Sequence, residues 1–274
     1  MNKIKPLFLL TLVLLQLRLP SAQARVAQFE QLPNSSTVQF GRSLSAGSLS
    51  GKSLRLLVWN IHKGTDEKLP HDFATVSHAA DLTLIQEAIS EKSFTTRLST
   101  ANPNLTWTLA ISFELSKNNY TGVATGSVAQ PLLEEAIVSD VTEPILHTPK
   151  TVLLSEFRLE GREETLLVAN IHGINFVTND DFKIQIRQML KKIYRHQGPL
   201  IIAGDFNTWN EGRTEYLHKA LAPLKVRLVQ TPDSGGLFNL DHIFVRGFAP
   251  RFVFNLNHIN SSDHKPLLVD FIFE

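Results

Sequence analysis

The sequence predicts a layered α/β domain, and three observations carry that prediction. Eight short runs rich in branched aliphatic side chains lie between residues 54 and 273, spaced widely enough for helices between them. Several runs are apolar on both alternations, so both faces of those strands are expected to be covered. Residues 180–197 carry a helical rather than an alternating pattern. A content of 43% hydrophobic and 19% charged residues over 274 positions excludes disorder and supplies a sizeable core.

The chain opens with Lys3 and Lys5, an apolar run from Leu7 to Leu17 broken only by Thr11 and Gln16, and then Pro20, Ser21 and Ala22-Gln23-Ala24. That order predicts a secretory signal peptide over 1–24, cleaved after Ala24. The run is too short to span a bilayer, which takes about 20 residues. An exported protein, periplasmic or secreted, with no transmembrane segment in the mature chain, is expected. Without the leader, 24 basic and 26 acidic side chains remain, so no strong positive field draws the mature chain to a polyanion; any such partner is held by a local site. Cysteine is absent, which excludes disulfides, thiol nucleophiles and Cys-ligated zinc. Residues 25–53 hold five serines between 43 and 53, with Gly41, Gly47 and Gly51, and read as a flexible lead-in. Residues 54–274 show no repeat and no strong boundary, and are taken as one domain.

Strands are predicted at Leu54–Asn60, Leu82–Gln86, Thr106–Ser112, Val152–Leu159, Thr165–Asn170, Pro199–Ala203, Leu240–Val245 and Pro266–Phe273. The helix over 180–197 places Phe182, Ile186, Met189, Leu190 and Ile193 on one face, with Asn179 or Asp180 as cap and Gly198 as its end. Lys183, Arg187, Lys191 and Arg195 recur on its other side and read as a solvated face.

Polar residues gather where these strands end, as sites do in α/β folds. Asn60 ends LRLLVWN, Glu87 ends LTLIQE, and His172 and Asn175 lie in NIHGIN. Asp205 and Asn207 lie in GDFN, Asp241 in LDHIF, and Asp263 and His264 in SDHKP. Each is ordinary alone: an Asp after a strand is usually a turn or cap residue. Together, the ordered series VWN, QEA, NIHGIN, GDFN, LDHIF and SDHKP resembles the endonuclease/exonuclease/phosphatase superfamily, over nearly the whole of 54–273, and most of all a bacterial branch without assigned substrate.

The resemblance implies a four-layer α/β sandwich of two packed mixed β-sheets flanked by helices, as in deoxyribonuclease I. It implies that Glu87 is the principal metal carboxylate, with Asn60 beside it and Asp263 near the metal. An all-oxygen site of this kind suits Mg²⁺ or Mn²⁺. It implies that Asp205 orients or deprotonates the attacking water, that Asn207 fixes the phosphate, and that Asp241 pairs with the ring of His264, which contacts the scissile phosphate. His172 and Asn175 match phosphate and leaving-group contacts. The expected function is metal-dependent hydrolysis of a phosphodiester by a monomer, with nucleic acid as the leading substrate. A phosphatase or lipid phosphodiesterase acting on a lipid head group is the alternative, ranked lower because no aromatic-rich insertion marks a membrane-docking loop; a non-catalytic binding protein is a further alternative. His62 and Lys63 read equally as substrate contacts or surface residues. Trp209 and His242 read as packing, and Gly122 and Gly126 as serving backbone geometry.

Overall fold

The computed structural model describes residues 36–42, 47–232 and 239–274; the signal segment expected at 1–24 lies outside them. Among the described residues, thirteen strands form two mixed sheets. The seven-stranded sheet is ordered β1 (Thr37–Gly41), β4 (Thr106–Ser116), β5 (Asn119–Ser127), β3 (Leu82–Ile89), β2 (Ser53–Asn60), β13 (Leu267–Phe273) and β12 (Phe248–Asn255). The six-stranded sheet is ordered β10 (Arg227–Leu228), β11 (Asp241–Arg246), β9 (Leu200–Asp205), β8 (Thr165–His172), β7 (Pro149–Arg158) and β6 (Leu133–Thr142). Each sheet has one parallel pair, β2 with β3 and β8 with β9.

The doubly apolar runs now have their reason. In β2, Leu56 and Val58 face the other sheet and pack with Val168, Ile201, Ile243 and Val269. Leu57 and Trp59 face outward, under helices α1 (Leu69–Ser77) and α2 (Lys92–Ala101), with Phe73, Phe94 and Leu98. On the far side, α3 (Asn179–Ile193) and α4 (Glu211–Leu221) cover Leu167, Ala169 and Ile202 with Phe182, Ile186, Met189 and Leu217. The result is four layers, helix–sheet–sheet–helix. Fully burying one such aliphatic side chain contributes about 1.5–3 kcal/mol, so three stacked apolar layers hold the domain together. Where the two sheets meet beneath the site, the Gln86 amide donates to Asn170 Oδ1 at 2.7 Å, and Asn170 Nδ2 donates to the Ala124 carbonyl at 2.9 Å.

Several expectations need correction. The lead-in of 25–53 is not flexible throughout. Thr37–Gly41 pairs antiparallel with β4, and Leu49 is buried in the inter-sheet core, bridged to Leu159. Serine and glycine content alone missed the alternating TVQF that forms the edge strand. The helix expected to reach residue 197 ends at Ile193, and its cap is Thr178, whose hydroxyl accepts from the Asp181 N–H. Strand β5 is absent from the strands predicted by periodicity because NYTGVATGS is small and polar; only the family resemblance, which implies a strand and loop flanking the cleft over Asn118–Ser127, marks it. It is nevertheless central, and a Cβ on Gly122 would lie 1.8 Å from the Ala110 carbonyl oxygen. The two glycines there do serve backbone packing.

Candidate active site

Strand polarity brings the chemistry to one end of the molecule. The parallel pairs point the carboxyl ends of β2, β3, β8 and β9 the same way within each sheet, and β11 and β13 begin there. In the six-stranded sheet, Asp205 is the register partner of both His172 and Asp241. One row across three strands therefore carries a histidine and two aspartates. Two glycines permit the close approach. Gly204 has φ +137°, and a Cβ there would sit 2.1 Å from the Ile171 oxygen; a Cβ on Gly173 would sit 2.3 Å from the Phe206 oxygen.

Asp205 is the hub and is buried. Its Oδ2 accepts from Asn60 Nδ2 at 3.0 Å, and its Oδ1 accepts from the Asn207 backbone N–H at 2.9 Å. His172 Nε2 and His264 Nε2 lie 3.6 and 3.7 Å from the same Oδ2, too far for a hydrogen bond, and His264 couples to it electrostatically. Burial and the charge of Asp241 push the Asp205 carboxyl up to about 7, against the pull of His264. His264 Nδ1 lies 2.7 Å from Asp241 Oδ2. Burial disfavours its charged form, but Asp241, Asp205 and Asp263 outweigh burial and raise the ring to about 10, so His264 is an imidazolium at neutral pH. His172 is the opposite case. Burial, reinforced by Lys150, holds it well below the ordinary histidine range, and it is neutral.

Glu87 reaches the cleft through a bulge. The β3–β5 register shifts between Gln86 and Ala88, and Glu87 between them has φ +57°, a left-handed conformation uncommon for a residue other than glycine. The bulge turns its carboxylate out of the sheet toward Lys63, whose Nζ donates to Oε2 at 2.6 Å. Burial works against ionisation of Glu87, but the Lys63 ammonium bonded to it, with Lys150 farther off, outweighs burial and holds the carboxyl below the usual carboxylate range. Lys63 sits in a 3-10 turn, His62–Gly64, where His62 and Lys63 both have positive φ. Asn60 Oδ1 accepts from the His62 N–H at 3.2 Å and fixes that turn.

Of the residues singled out in the sequence, Asn60, His172, Asp205, Asn207, Asp241 and His264 converge. Asn207, at φ +52°, donates its amide to the Gly173 carbonyl at 2.8 Å and so braces the two loops. Asn175 does not bond into this cluster. Its Oδ1 accepts from the next N–H, that of Phe176, and its own N–H donates to Glu143 Oε1 at 3.0 Å. Asp263 stands at the rim, largely exposed, with His62 Nδ1 3.7 Å from its Oδ1. Among the described residues no hydrogen bond joins Asn60 to Glu87; Asn60 bonds Asp205 and the His62 N–H.

The donor set fits a hard divalent cation: Glu87, Asn60 and Asp263 offer only oxygens, and the Lys63 ammonium already lies against Glu87 as a cation does. Ligand atoms of Asp205, Asp241 and His264 also lie within 4.8 Å of one another. In that group, however, His264 Nδ1 is already committed to Asp241.

Sequence reasoning missed Arg213. It is fully buried, with no carboxylate paired to it among the described residues. Its guanidinium donates to the carbonyls of Ile174 and Asn207 (both 2.9 Å) and Val177 (2.8 Å), and lies over the rings of Trp209 and Phe182. Burial lowers it to about 10. It ties the loop after β8 to the loop after β9, and only its position three residues after Asn210, the cap of α4, hinted at this. His242, read as packing, is packed: its Nε2 lies 2.7 Å from Thr208 Oγ1, among Phe206 and Phe244. Trp209 is exposed on one side and lies against the Arg213 guanidinium on the other.

Known proteins share the family and the fold. Residues 57–264 match the profile of the Endonuclease/Exonuclease/phosphatase family. A UPF0294 protein of Vibrio parahaemolyticus is 34% identical over 226 residues, covering 80% of this chain and 77% of that protein. An endonuclease/exonuclease/phosphatase from Beutenbergia cavernae shares the fold with TM-score 0.63 at 16% identity, over 81% of this chain and 72% of its own. The human Nocturnin catalytic domain, solved with a bound sulfate anion, gives 0.61 at 17% identity over 83% of this chain and 96% of its own. Danio rerio TDP2, complexed with a single-strand DNA product, gives 0.57 at 18% identity, over 80% and 98%.

Proposed function

Because this chain belongs to the endonuclease/exonuclease/phosphatase family, we propose that it is an exported, divalent-metal-dependent phosphodiester hydrolase whose substrate is nucleic acid. The observation that carries the reading is Asp205 between His172 and His264, with His264 paired to Asp241.

A phosphodiester is anionic and repels hydroxide, so hydrolysis needs charge neutralisation, a placed water and help for the leaving oxygen. Glu87, with Asn60 and Asp263 at its sides, would hold Mg²⁺ or Mn²⁺, which supplies charge neutralisation when bound. Asp205, raised to about 7, accepts the proton of the attacking water at neutral pH. Asn60 and the Asn207 N–H fix its two oxygens, so that its lone pairs are aimed before substrate arrives. His264, held cationic by Asp241, stabilises charge growing on the phosphoryl oxygens. His172, held neutral, positions by hydrogen bonding and does not act as an acid.

Export rests on the leader sequence, and nucleic acid on the likeness to a fold that binds single-strand DNA in TDP2. One observation favours the second reading, a lipid head group: Ile145, Leu146 and Phe176 stand exposed at the rim of this site. Nicking of supercoiled plasmid with Mg²⁺, abolished by EDTA, is the test. Turnover of phospholipid vesicles without plasmid or oligonucleotide turnover would replace the first reading by the second. Turnover of neither by the folded protein would refute both.

A further inference from the structure

The six-stranded sheet ends, on the side of the active site, in an apolar projection. Strands β6 and β7 are joined by Glu143-Pro144-Ile145-Leu146-His147-Thr148. Ile145 and Leu146 are 78% and 73% exposed, and Phe176 in the neighbouring loop is 68% exposed. The register places the tip. Val152 pairs with Ile171, so Thr151 and Lys150 run on beside His172 and Gly173, and the tip stands just beyond the catalytic end. The neck is closed by the Glu143 N–H donating to the Thr148 carbonyl at 3.0 Å. Glu143 Oε1 accepts from the Asn175 N–H at 3.0 Å, which joins the tip to the loop that presents Phe176. Phe176 is held at φ +54°, a conformation a bulky side chain adopts only when its surroundings impose it.

The chemistry of this patch selects its partner. Ile145 and Leu146, which form the tip, are aliphatic and have no π-face on which a base could stack, and Phe176 brings a ring only at the neighbouring loop. Residues 144–149 contain no acid, lysine or arginine. Glu143 is matched by Lys150 Nζ at 3.4 Å and by the Asn175 N–H, so moving the tip into a medium of low dielectric strips no unpaired charge of water. A polyanion would need free cations here, and Lys150 is both paired and buried to 12% exposure of its side chain.

We propose that the β6–β7 tip is a lipid-docking element. Its aliphatic side chains enter the acyl region of a membrane surface, Phe176 lies at the boundary, and the cleft faces the head groups. The proposal concerns where the enzyme sits and holds for either substrate class of the reading above.

The chain has no cysteine, so single labels are clean. Ile145→Cys and Glu163→Cys, the latter in the turn at the opposite end of β7 and β8, each carry an environment-sensitive nitrobenzoxadiazole label. With phosphatidylethanolamine–phosphatidylglycerol vesicles, the label at 145 shifts to the blue and is quenched by bromolipids, while the label at 163 does not respond. Both chains carry the same leader, so a leader effect cancels. Ile145→Ser with Leu146→Ser lowers partitioning by about tenfold or more and leaves hydrolysis of a soluble dinucleotide at the wild-type rate. A label at 145 that ignores vesicles, or answers single-strand oligonucleotide instead, overturns the proposal. Docking without any phosphodiesterase activity would refute the function and leave docking standing.

Discussion

Lys63 Nζ lies 2.6 Å from Glu87 Oε2, joining a strained turn after β2 to a bulge in β3. Two successive residues with positive φ, His62 and Lys63, and a third, Glu87, are held in conformations that each cost on the order of 1–3 kcal/mol. That expenditure brings an ammonium against the carboxylate assigned to the metal. Lysine and metal therefore compete for one group. Lys63→Met should tighten Mn²⁺ binding about threefold to tenfold, read by electron paramagnetic resonance of free Mn²⁺, and Glu87→Gln should weaken it. Unchanged Mn²⁺ affinity in both variants would remove Glu87 from the metal site.

Arg213 makes a second, structural prediction. Its three carbonyl partners belong to the loops after β8 and β9, so removing the fork leaves buried acceptors unsatisfied and separates the loops that carry His172 and Asn207. Arg213→Met should lower stability by about 2–4 kcal/mol in urea unfolding. Arg213→Lys should recover little, because an ammonium cannot span three carbonyls in a plane. Full stability in the lysine variant would show that charge, not geometry, matters there.

His242 makes a prediction about pH. Burial lowers it from 6.5 to about 4, with Asp241 opposing and His218 reinforcing. Between those values the unfolded chain binds a proton that the folded chain does not. Stability conferred by neutral His242 is therefore present above about 6.5 and is lost as pH falls toward 4, by on the order of 3 kcal/mol in all. His242→Phe keeps the packing against Phe206 and Phe244 and should flatten the stability–pH slope across that window. An unchanged slope would show that the ring is not buried neutral.

The layered fold was legible because strands covered on both faces, such as LRLLVWN and LLVANIH, carry apolar residues on both alternations and have few alternative placements. By periodicity, edge and small-residue strands were not. TVQF, LEEAIVSDVT and NYTGVATGS owe their place to neighbours rather than to their own hydrophobicity, and β12 carries Pro250 at a register shift that an edge tolerates. The helix over-ran because the pattern past Ile193 continues in YRHQ, while the backbone turns there to meet Gly198 and the start of β9. In the site, strand ends marked the reacting groups. The groups that aim them, Lys63, Arg213 and Gln185, which accepts from the Ile174 N–H and donates to the His172 carbonyl, act across long sequence separations that no local pattern shows. The apolar tip was likewise hidden, since Ile145 and Leu146 look like strand residues until the chain is seen to turn at them.

The central claim is that Asp205 and the Asp241–His264 pair hydrolyse a phosphodiester together. Its most direct test is steady-state hydrolysis of a phosphodiester oligonucleotide with Mg²⁺ by the wild type, Asp205→Asn, Asp241→Asn and His264→Ala, each checked for folding by circular dichroism. The account predicts kcat lower by about a hundredfold or more for Asp205→Asn and His264→Ala, with a smaller loss for Asp241→Asn. A folded His264→Ala protein that hydrolyses the oligonucleotide at the wild-type rate would contradict it.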